Sequence, residues 1–216
     1  MVNFSRQRHR MVKDQIAQRG IRSLHVIEAM RRVPREVFVP GFEDFAYEDS
    51  PLPIGHKQTI SQPFMVAMMI EAAEVEPGDM VLEVGAGSGY AAAVLSRIAA
   101  KVFAIERHSS LAEAARKRLA HLCYDNVEIR SGDGTRGWPD AAPFDAILVA
   151  AGAPDVPNAL KEQLAIGGRL IIPVGEVERC QTLRKMRRLS DGAFDEEDLG
   201  AVAFVPLIGK SAWAED

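Results

Sequence analysis

Short apolar runs alternate with longer stretches of mixed apolar and polar residues through the middle of the chain. The apolar runs that predict strands are 81–84, 101–105, 127–130, 144–150 and 169–174. The mixed stretches that predict helices between these strands are 90–99, 109–122 and 158–164. Strands that alternate with helices in this way predict an α/β fold with a doubly wound, mostly parallel sheet and right-handed crossovers.

The two ends of the chain have different patterns. Residues 5–19 predict a helix that stops at Gly20, and Ser23 is a capping residue for a second helix that ends at Pro34. Residues 51–63 lack a clear period and predict a loop, with Pro63 at the first position of the next helix. The other end of the chain predicts an antiparallel addition at one edge of the sheet. It consists of the segments 182–189 and 201–207, with an acidic loop between them.

These patterns predict a single domain over residues 1–216. Its predicted parts are an N-terminal helical lid (1–50), an active-site loop (51–63), a cofactor-binding core (64–180) and C-terminal antiparallel strands with a tail (181–216). The length of 216 residues agrees with one large domain, and 47% hydrophobic with 26% charged residues is ordinary for a globular protein.

Charge and cysteine content exclude several classes of function. The formal net charge of -4 argues against dominant nucleic-acid binding, and we interpret the basic residues of 1–35 as a solvated helical face. Cys123 and Cys180 are far apart and outside any metal-ligand spacing. No apolar run is long enough to cross a bilayer, and no signal peptide is evident. We therefore expect a cytoplasmic monomer that binds no metal and no membrane.

A turn with three glycines follows the first strand of the predicted sheet. Glycines at positions 85, 87 and 89 let the backbone turn sharply and approach a ligand closely. A dinucleotide-binding fingerprint would need a further glycine at position 90, where Tyr90 stands, and no phosphate-binding Gly-Lys-Ser/Thr loop is present. The pattern from Glu83 to Gly89 resembles the first motif of the S-adenosylmethionine-dependent methyltransferases. A nicotinamide dehydrogenase is the competing hypothesis, and it would need the missing glycine.

Acidic residues also close the next two predicted strands. Glu106 closes the second strand, where a carboxylate can accept hydrogen bonds from both ribose hydroxyls, and Asp133 with Gly134 closes the third, where it could meet an adenine edge. Ligands of such sheets bind at the carboxyl ends of the strands, near the point where the strand order reverses. The combination predicts S-adenosyl-L-methionine as cofactor, with S-adenosyl-L-homocysteine as its product.

Several further segments occur together and in order along nearly the whole chain. They are Val33-Pro34-Arg35-Glu36-Val37-Phe38-Val39, Pro53-Ile54-Gly55, Gln58-Thr59-Ile60-Ser61-Gln62-Pro63, Gly132-Asp133-Gly134, Pro173-Val174-Gly175 and Phe204-Val205-Pro206-Leu207. With the glycine turn, they closely resemble the protein-L-isoaspartate O-methyltransferase family. The resemblance implies a Rossmann-like methyltransferase fold and methyl transfer to the free α-carboxylate of isoaspartyl residues in proteins and peptides. The ester then cyclises to a succinimide without the enzyme.

The resemblance also implies residue roles. Ser61 matches the active-site serine of the family, and is the expected catalytic residue. The residues expected to bind the cofactor are Thr59, Ile60, Glu83, Gly85, Ala86, Gly87, Ser88, Gly89, Glu106, Arg107, Asp133 and Gly134. The residues expected to bind the substrate are Thr59, Ser61, Val205, Pro206 and Leu207. Lys57 stands where many bacterial members have glycine, and Phe64 where some have histidine.

Two other functions stay open at this stage. One is a methyltransferase that acts on RNA, DNA or a small molecule, although the Asn/Asp-Pro-Pro-Tyr motif of many base N-methyltransferases is replaced by Val-Ala-Ala-Gly-Ala-Pro at 149–154. The other is a non-catalytic cofactor-binding module whose basic N-terminal segment binds a partner.

An α-carboxyl is already ionised at neutral pH, so the expected reaction needs no general base, and we interpret His56 as incidental.

Overall fold

The sheet that the alternation predicts is present in the computed structural model, which describes residues 3–176 and 180–215. The remaining residues of the predicted 1–216 domain, namely 1–2, 177–179 and 216, lie outside the described part. The helices are α1 (Phe4–Met11), α2 (Leu24–Arg32), α3 (Pro63–Ala72), α4 (Tyr90–Leu95), α5 (Ser109–His121) and α6 (Asn158–Glu162). The strands are β1 (Leu52–Gly55), β2 (Gln58–Ile60), β3 (Met80–Val84), β4 (Lys101–Glu106), β5 (Val127–Ser131), β6 (Phe144–Val149), β7 (Leu164–Val174), β8 (Gln181–Ser190) and β9 (Ala193–Val202).

Seven strands form the main sheet in the order β5-β4-β3-β6-β7-β8-β9. The first five are parallel to one another, and β8 and β9 add antiparallel at one edge, which confirms the predicted fold. The strand order reverses at β3, because β4 and β5 lie on one side of it and β6 lies on the other. Val84 pairs with both Ile105 and Val149, so the carboxyl ends of β3, β4 and β6 meet at one edge of the sheet.

Alternate residues of the central strands enter two apolar clusters, one on each face of the sheet. Val81 packs in the cluster that also holds the N-terminal helices and α3 to α5. Leu82 and Val84 pack in the second cluster, together with Leu160 of α6. Both faces of β3 and β6 are therefore covered, which explains their nearly continuous apolar sequences.

The N-terminal helical segment is less regular than predicted. The α-helix ends at Met11. A π-helical turn (Val12–Ile16) and a 3-10 turn (Ala17–Arg19) then continue the helical segment to Gly20. Gly20 has a φ of 107°, a left-handed conformation that ends the segment as expected. The irregular turns accompany complete burial of Met11, Val12 and Ile16, so packing against the core overrides regular helical spacing.

The prediction of a loop throughout 51–63 was wrong in one respect, because a two-stranded hairpin lies within it. Leu52 pairs with Ile60 and Pro53 with Thr59, and the turn between the strands has positive φ at His56 (51°) and Lys57 (56°). A tight turn with two positive φ values is usually marked by Asn-Gly or Asp-Gly. The His56-Lys57 sequence lacks that signal. Strands of three to four residues are also too short to show an alternation of apolar and polar positions.

The C-terminal strands also differ from the prediction. An acidic loop and a strand over 201–207 were expected, whereas β9 begins at Ala193, includes the acidic residues and ends at Val202. The acidic residues of β9 lie opposite the basic residues of β8, and Arg184 of β8 forms ion pairs with Glu196 (3.9 Å) and Asp198 (3.6 Å) of β9. Opposite charges on facing strands are favourable, and this pairing offsets the low intrinsic strand preference of acidic residues. β9 forms the edge of the sheet.

Candidate active site

The carboxyl ends of the parallel strands open onto a cavity of about 1070 Å³, part of which is open to solvent. Fourteen of the residues singled out from the sequence line it: Thr59, Ile60, Ser61, Glu83, Gly85, Ala86, Gly87, Ser88, Glu106, Arg107, Gly134, Val205, Pro206 and Leu207. Gly89 and Asp133 lie just outside the lining. The fold therefore brings the glycine turn, the hairpin and the C-terminal segment around one cavity.

The glycine turn holds conformations that favour glycine. The φ values of Gly85, Gly87 and Gly89 are 91°, 53° and 86°. A Cβ atom at Gly87 would lie 3.0 Å from Cδ1 of Ile54, so a side chain there would also press on the hairpin. The backbone can consequently approach a ligand closely along this turn.

Glu106 connects the glycine turn to the end of β4. Its Oε2 accepts a hydrogen bond from the backbone N–H of Gly87 (2.8 Å), and its Oε1 accepts one from the backbone N–H of His108 (2.8 Å). A carboxylate can accept about four hydrogen bonds, so each oxygen keeps one further acceptor position. Because the side chain is buried at the cavity wall, it is fixed in place to accept hydrogen bonds from a diol.

Two buried polar atoms at the cavity lack partners within the described ranges. They are Oε2 of Glu83 and Oγ of Ser88. Burial, and to a smaller extent the nearby charge of Glu106, raises the pKa of Glu83 to about 8. Buried polar groups without partners are uncommon in native proteins. The Glu83 carboxyl group and the Ser88 hydroxyl are therefore available to bind polar groups of a ligand.

Asp133 has a different environment from the one expected. Its Oδ1 accepts hydrogen bonds from the backbone N–H (2.9 Å) and the hydroxyl (2.7 Å) of Thr135, and its Oδ2 accepts one from the backbone N–H of Lys210 (2.9 Å). Burial would raise the pKa of Asp133, but these hydrogen bonds lower it overall. The adjacent Gly134 does line the cavity, and a Cβ there would lie 2.4 Å from Cγ1 of Val84. The backbone after β5 thus allows close contact with a ligand at Gly134, while the Asp133 carboxylate anchors the C-terminal tail.

The C-terminal segment is held beside the cavity by backbone pairing. The Gly152 N–H donates to the Val205 carbonyl (2.8 Å), and the Leu207 N–H donates to the Gly152 carbonyl (2.7 Å). The buried Gln181 side chain adds a two-point contact with Phe204, donating to its carbonyl (3.1 Å) and accepting from its N–H (2.9 Å). Val205 to Leu207 therefore have fixed positions relative to the end of β6.

Sequence reasoning missed several lining residues. The polar ones are Gln58 and His108, and the apolar ones include Ile54, Tyr90, Leu148 and Ile208. His56, which we interpreted as incidental, stacks on His108 with 4.7 Å between ring centroids, and its Nε2 lies 2.8 Å from the Ser110 hydroxyl. The position of His108 two residues after Glu106 was an available signal, whereas the contact with His56 depends on the unpredicted hairpin.

Metal-binding clusters and membrane-spanning helices are absent from the described part of the chain. Residues 3–176 and 180–215 contain no group of three His, Cys, Asp or Glu side chains placed to hold a metal ion. In the same ranges, no helix combines the length and apolar character required to cross a membrane.

Comparison with known protein families gives a consistent result. A family model described as Protein-L-isoaspartate(D-aspartate) O-methyltransferase matches residues 6–212. A protein-L-isoaspartate O-methyltransferase of Brucella anthropi is 55% identical over 216 residues, covering 100% of this chain and 99% of the relative. A protein of the same description from Pelotomaculum thermopropionicum is 54% identical over 215 residues, covering 99% of this chain and 93% of the relative.

Solved structures with the same fold carry the same description. One protein-L-isoaspartate O-methyltransferase superposes with a TM-score of 0.85 at 28% identity, covering 96% of this chain and 67% of that one. Another, from Plasmodium falciparum and in complex with S-adenosyl-L-homocysteine, has a TM-score of 0.82 at 26% identity, covering 93% of this chain and 98% of that one.

Proposed function

The chain belongs to the protein-L-isoaspartate(D-aspartate) O-methyltransferase family, and on that premise we propose which residues bind the cofactor and which orient the acceptor. The enzyme catalyses a protein-repair reaction, in which a methyl group is transferred to the free α-carboxylate of L-isoaspartyl residues in damaged proteins and peptides. S-adenosyl-L-methionine supplies the methyl group and leaves as S-adenosyl-L-homocysteine.

The acceptor needs orientation rather than activation. An α-carboxyl group has an unperturbed pKa of about 3.3–3.7, so it is ionised at neutral pH and no residue has to remove a proton. What the protein must do is hold a carboxylate oxygen in line with the bond that breaks, and keep water away. This requirement favours hydrogen-bond donors on well-fixed segments over a titrating base.

We assign the cofactor to the glycine turn and its neighbours. The Glu106 carboxylate would accept hydrogen bonds from the ribose hydroxyls with its two free acceptor positions. Glu83 and Ser88 would take the ammonium and carboxylate of the amino-acid end. The backbone of 85–89 and of 134 would lie close against the cofactor, as would Arg107, Thr59 and Ile60, which line the same cavity. Asp133 would reach an adenine edge only with the acceptor position that its bonds to Thr135 and Lys210 leave.

We assign the acceptor to Ser61, Thr59 and the 205–207 segment. The observation that carries this proposal is that Ser61 and Val205 to Leu207 line the same cavity as Glu106 and the glycine turn. The Ser61 hydroxyl can donate a hydrogen bond to the acceptor carboxylate. Because the 205–207 backbone is paired with Gly152, it can hold an extended peptide chain next to that hydroxyl.

A matched pair of peptides tests the function directly. One peptide carries L-isoaspartate and the other carries normal aspartate at the same position, and each is offered with labelled S-adenosyl-L-methionine. We expect label in the isoaspartyl peptide alone, because the aspartyl twin lacks a free α-carboxylate at that position. If neither peptide is labelled while the cofactor binds, a different acceptor or a non-catalytic role would be favoured instead.

Glu83 predicts a pH dependence of cofactor binding. With a pKa of about 8 in the free protein, its carboxyl group is mostly neutral at pH 7, and binding an ammonium group favours the ionised form. Affinity for S-adenosyl-L-homocysteine should therefore weaken as the pH falls from 8 to 6, with proton release on binding. Calorimetric titrations in buffers of different ionisation enthalpy measure both effects.

The control for this pH experiment is Glu83→Gln. The ligand has an amino group of its own that titrates, and this contribution is common to both proteins. The difference between wild type and variant therefore reports Glu83. Equal pH dependence and equal proton release in the two proteins would contradict the assignment of Glu83 to the cofactor.

We further propose that the chain works as a monomeric, metal-independent enzyme of the cytoplasm, with residues 1–216 as one domain. Cys123 and Cys180 are free and exposed, which suits a reducing compartment. Residues of the predicted lid share an apolar cluster with α3 to α5 and the sheet, which supports one domain with the lid 1–50, the loop 51–63, the core 64–180 and the C-terminal part 181–216.

A further inference from the structure

A buried arginine lies behind the Ser61 segment. Arg35 begins the 3-10 turn Arg35–Phe38 that follows α2, and its relative exposure is 0%. The interpretation of the basic residues of 1–35 as a solvated helical face was therefore wrong for Arg35. Its Nε donates a hydrogen bond to the Ala46 carbonyl (2.8 Å), and its Nη2 donates one to the Ser61 carbonyl (2.8 Å). The guanidinium carbon also lies 4.8 Å from the ring centroid of Tyr90.

These contacts join three segments that are far apart in the sequence. Ala46 belongs to the N-terminal part, Ser61 precedes α3, and Tyr90 is the first residue of α4 after the glycine turn. The same 3-10 turn touches Tyr90 a second time, because the Phe38 ring packs edge-on against it with 5.6 Å between centroids. Arg35 is thus a direct physical connection between the proposed acceptor residue and the proposed cofactor turn.

Core packing alone does not account for a cation at this position. Across residues 3–176 and 180–215, no carboxylate forms an ion pair with Arg35, and its Nη1 has no hydrogen-bond partner. Burying a charged group without an opposite charge is costly, so apolar packing does not explain an arginine at this position. The planar fork of the guanidinium, in contrast, can hold two carbonyls and stack on a ring at the same time. Its geometry matches a positioning task better than a packing task.

We propose that Arg35 is a positioning residue for methyl transfer, which fixes the backbone of Ser61 relative to the glycine turn. The inference rests on the proposed role of the Ser61 hydroxyl. The direction of that hydroxyl follows from the placement of its own backbone, and Arg35 holds the Ser61 carbonyl. In an in-line transfer, a displacement of about 1 Å can lower the rate about 100-fold.

A double-mutant cycle tests the inference. The proteins are wild type, Arg35→Lys, Ser61→Ala and the double variant, with Arg35→Met as a second replacement. Each is assayed for kcat and KM with an isoaspartyl peptide, for affinity for S-adenosyl-L-homocysteine, and for Tm. Arg35→Lys keeps a charge and a long stem, so it reports on positioning even if Arg35→Met does not fold.

We expect Arg35→Lys to lower kcat/KM for the peptide at least about 10-fold while affinity for S-adenosyl-L-homocysteine changes less than about threefold. In the Ser61→Ala background the same change should have little further effect, because residues that act through one another are not additive. A merely structural effect of Arg35→Lys would lower both kcat/KM for the peptide and affinity for S-adenosyl-L-homocysteine. The losses in kcat/KM of the two single variants would then multiply in the double variant.

Arg130→Lys is a matched control. Arg130 also donates to a backbone carbonyl, that of Gly137 (2.5 Å), and lies over an aromatic ring, that of Trp138 (4.1 Å), but it does not line the cavity. Wild-type kcat/KM in Arg35→Lys, or fully additive losses in the double variant, would overturn the inference for Arg35 alone. Wild-type turnover in Ser61→Ala would overturn the proposed role of Ser61 and this inference with it.

Discussion

Ser61→Ala is expected to lower kcat for an isoaspartyl peptide by roughly 100-fold, because the acceptor carboxylate loses the donor that aligns it and a misplacement of about 1 Å can have that effect. The variant removes the hydroxyl but keeps the Ser61 carbonyl, so the hydrogen bond from Arg35 (2.8 Å) remains. The Ser61 segment should stay in place, and the loss should come from the missing donor. Affinity for S-adenosyl-L-homocysteine should change little, because the glycine turn and Glu106 are untouched.

Initial rates at saturating peptide and cofactor measure this effect, with calorimetry for the product affinity. Ser190→Ala is the matched control, since Ser190 is exposed at the end of β8 and lies outside the cavity lining. A kcat of Ser61→Ala equal to that of wild type would show that the hydroxyl does not hold the acceptor carboxylate.

Glu106→Gln is expected to weaken the binding of S-adenosyl-L-homocysteine about 100-fold. The Glu106 carboxylate already accepts hydrogen bonds from the Gly87 and His108 N–H groups, and its remaining acceptor positions are assigned to the ribose. A glutamine amide has one oxygen, so its NH₂ group would have to face one of the two backbone donors. Two hydrogen bonds to a charged group are worth about 3 kcal/mol or more, which is about two orders of magnitude in Kd.

The matched control for this affinity measurement is Glu128→Gln. Glu128 is exposed on the neighbouring strand β5 and pairs with Lys101 at 3.6 Å. Its replacement should leave Kd unchanged. Raising the cofactor concentration should restore most of the turnover of Glu106→Gln, because the acceptor residues are intact. An unchanged Kd in Glu106→Gln would rule out the assigned ribose contact.

The predictable part of this site follows from parallel strand geometry. Glu83 and Glu106 stand at the ends of successive strands, and parallel strands place their carboxyl ends at the same edge of the sheet. The sequence pattern was therefore sufficient to predict that the two residues lie close together. Ser61 was located through its resemblance to a family motif rather than through a period. These predictions depend on local sequence and one general rule of topology.

The unpredicted part depends on contacts between separate segments of the chain. The environment of Asp133 is set by the backbone of Lys210, and the stacking of His56 on His108 needs a hairpin with an unusual turn sequence. The acidic run of β9 has low strand preference on its own and becomes a strand because β8 presents basic residues opposite it. For Asp133 and His56 the deciding partner is remote in the chain, whereas for β9 it is the preceding strand of the same hairpin. In all three cases the intrinsic preference of the segment alone does not report the partner.

The four consecutive acidic residues 195–198 also affect how the sheet edge interacts with substrate proteins. Its substrates are damaged proteins, some of which expose unpaired strands that could extend an open sheet and start aggregation. β9 is the outer strand on its side of the sheet, and these four residues are exposed on it. A dense row of negative charge opposes the addition of a further strand. We therefore expect the exposed edge of β9 to disfavour pairing with an exposed strand of a substrate protein.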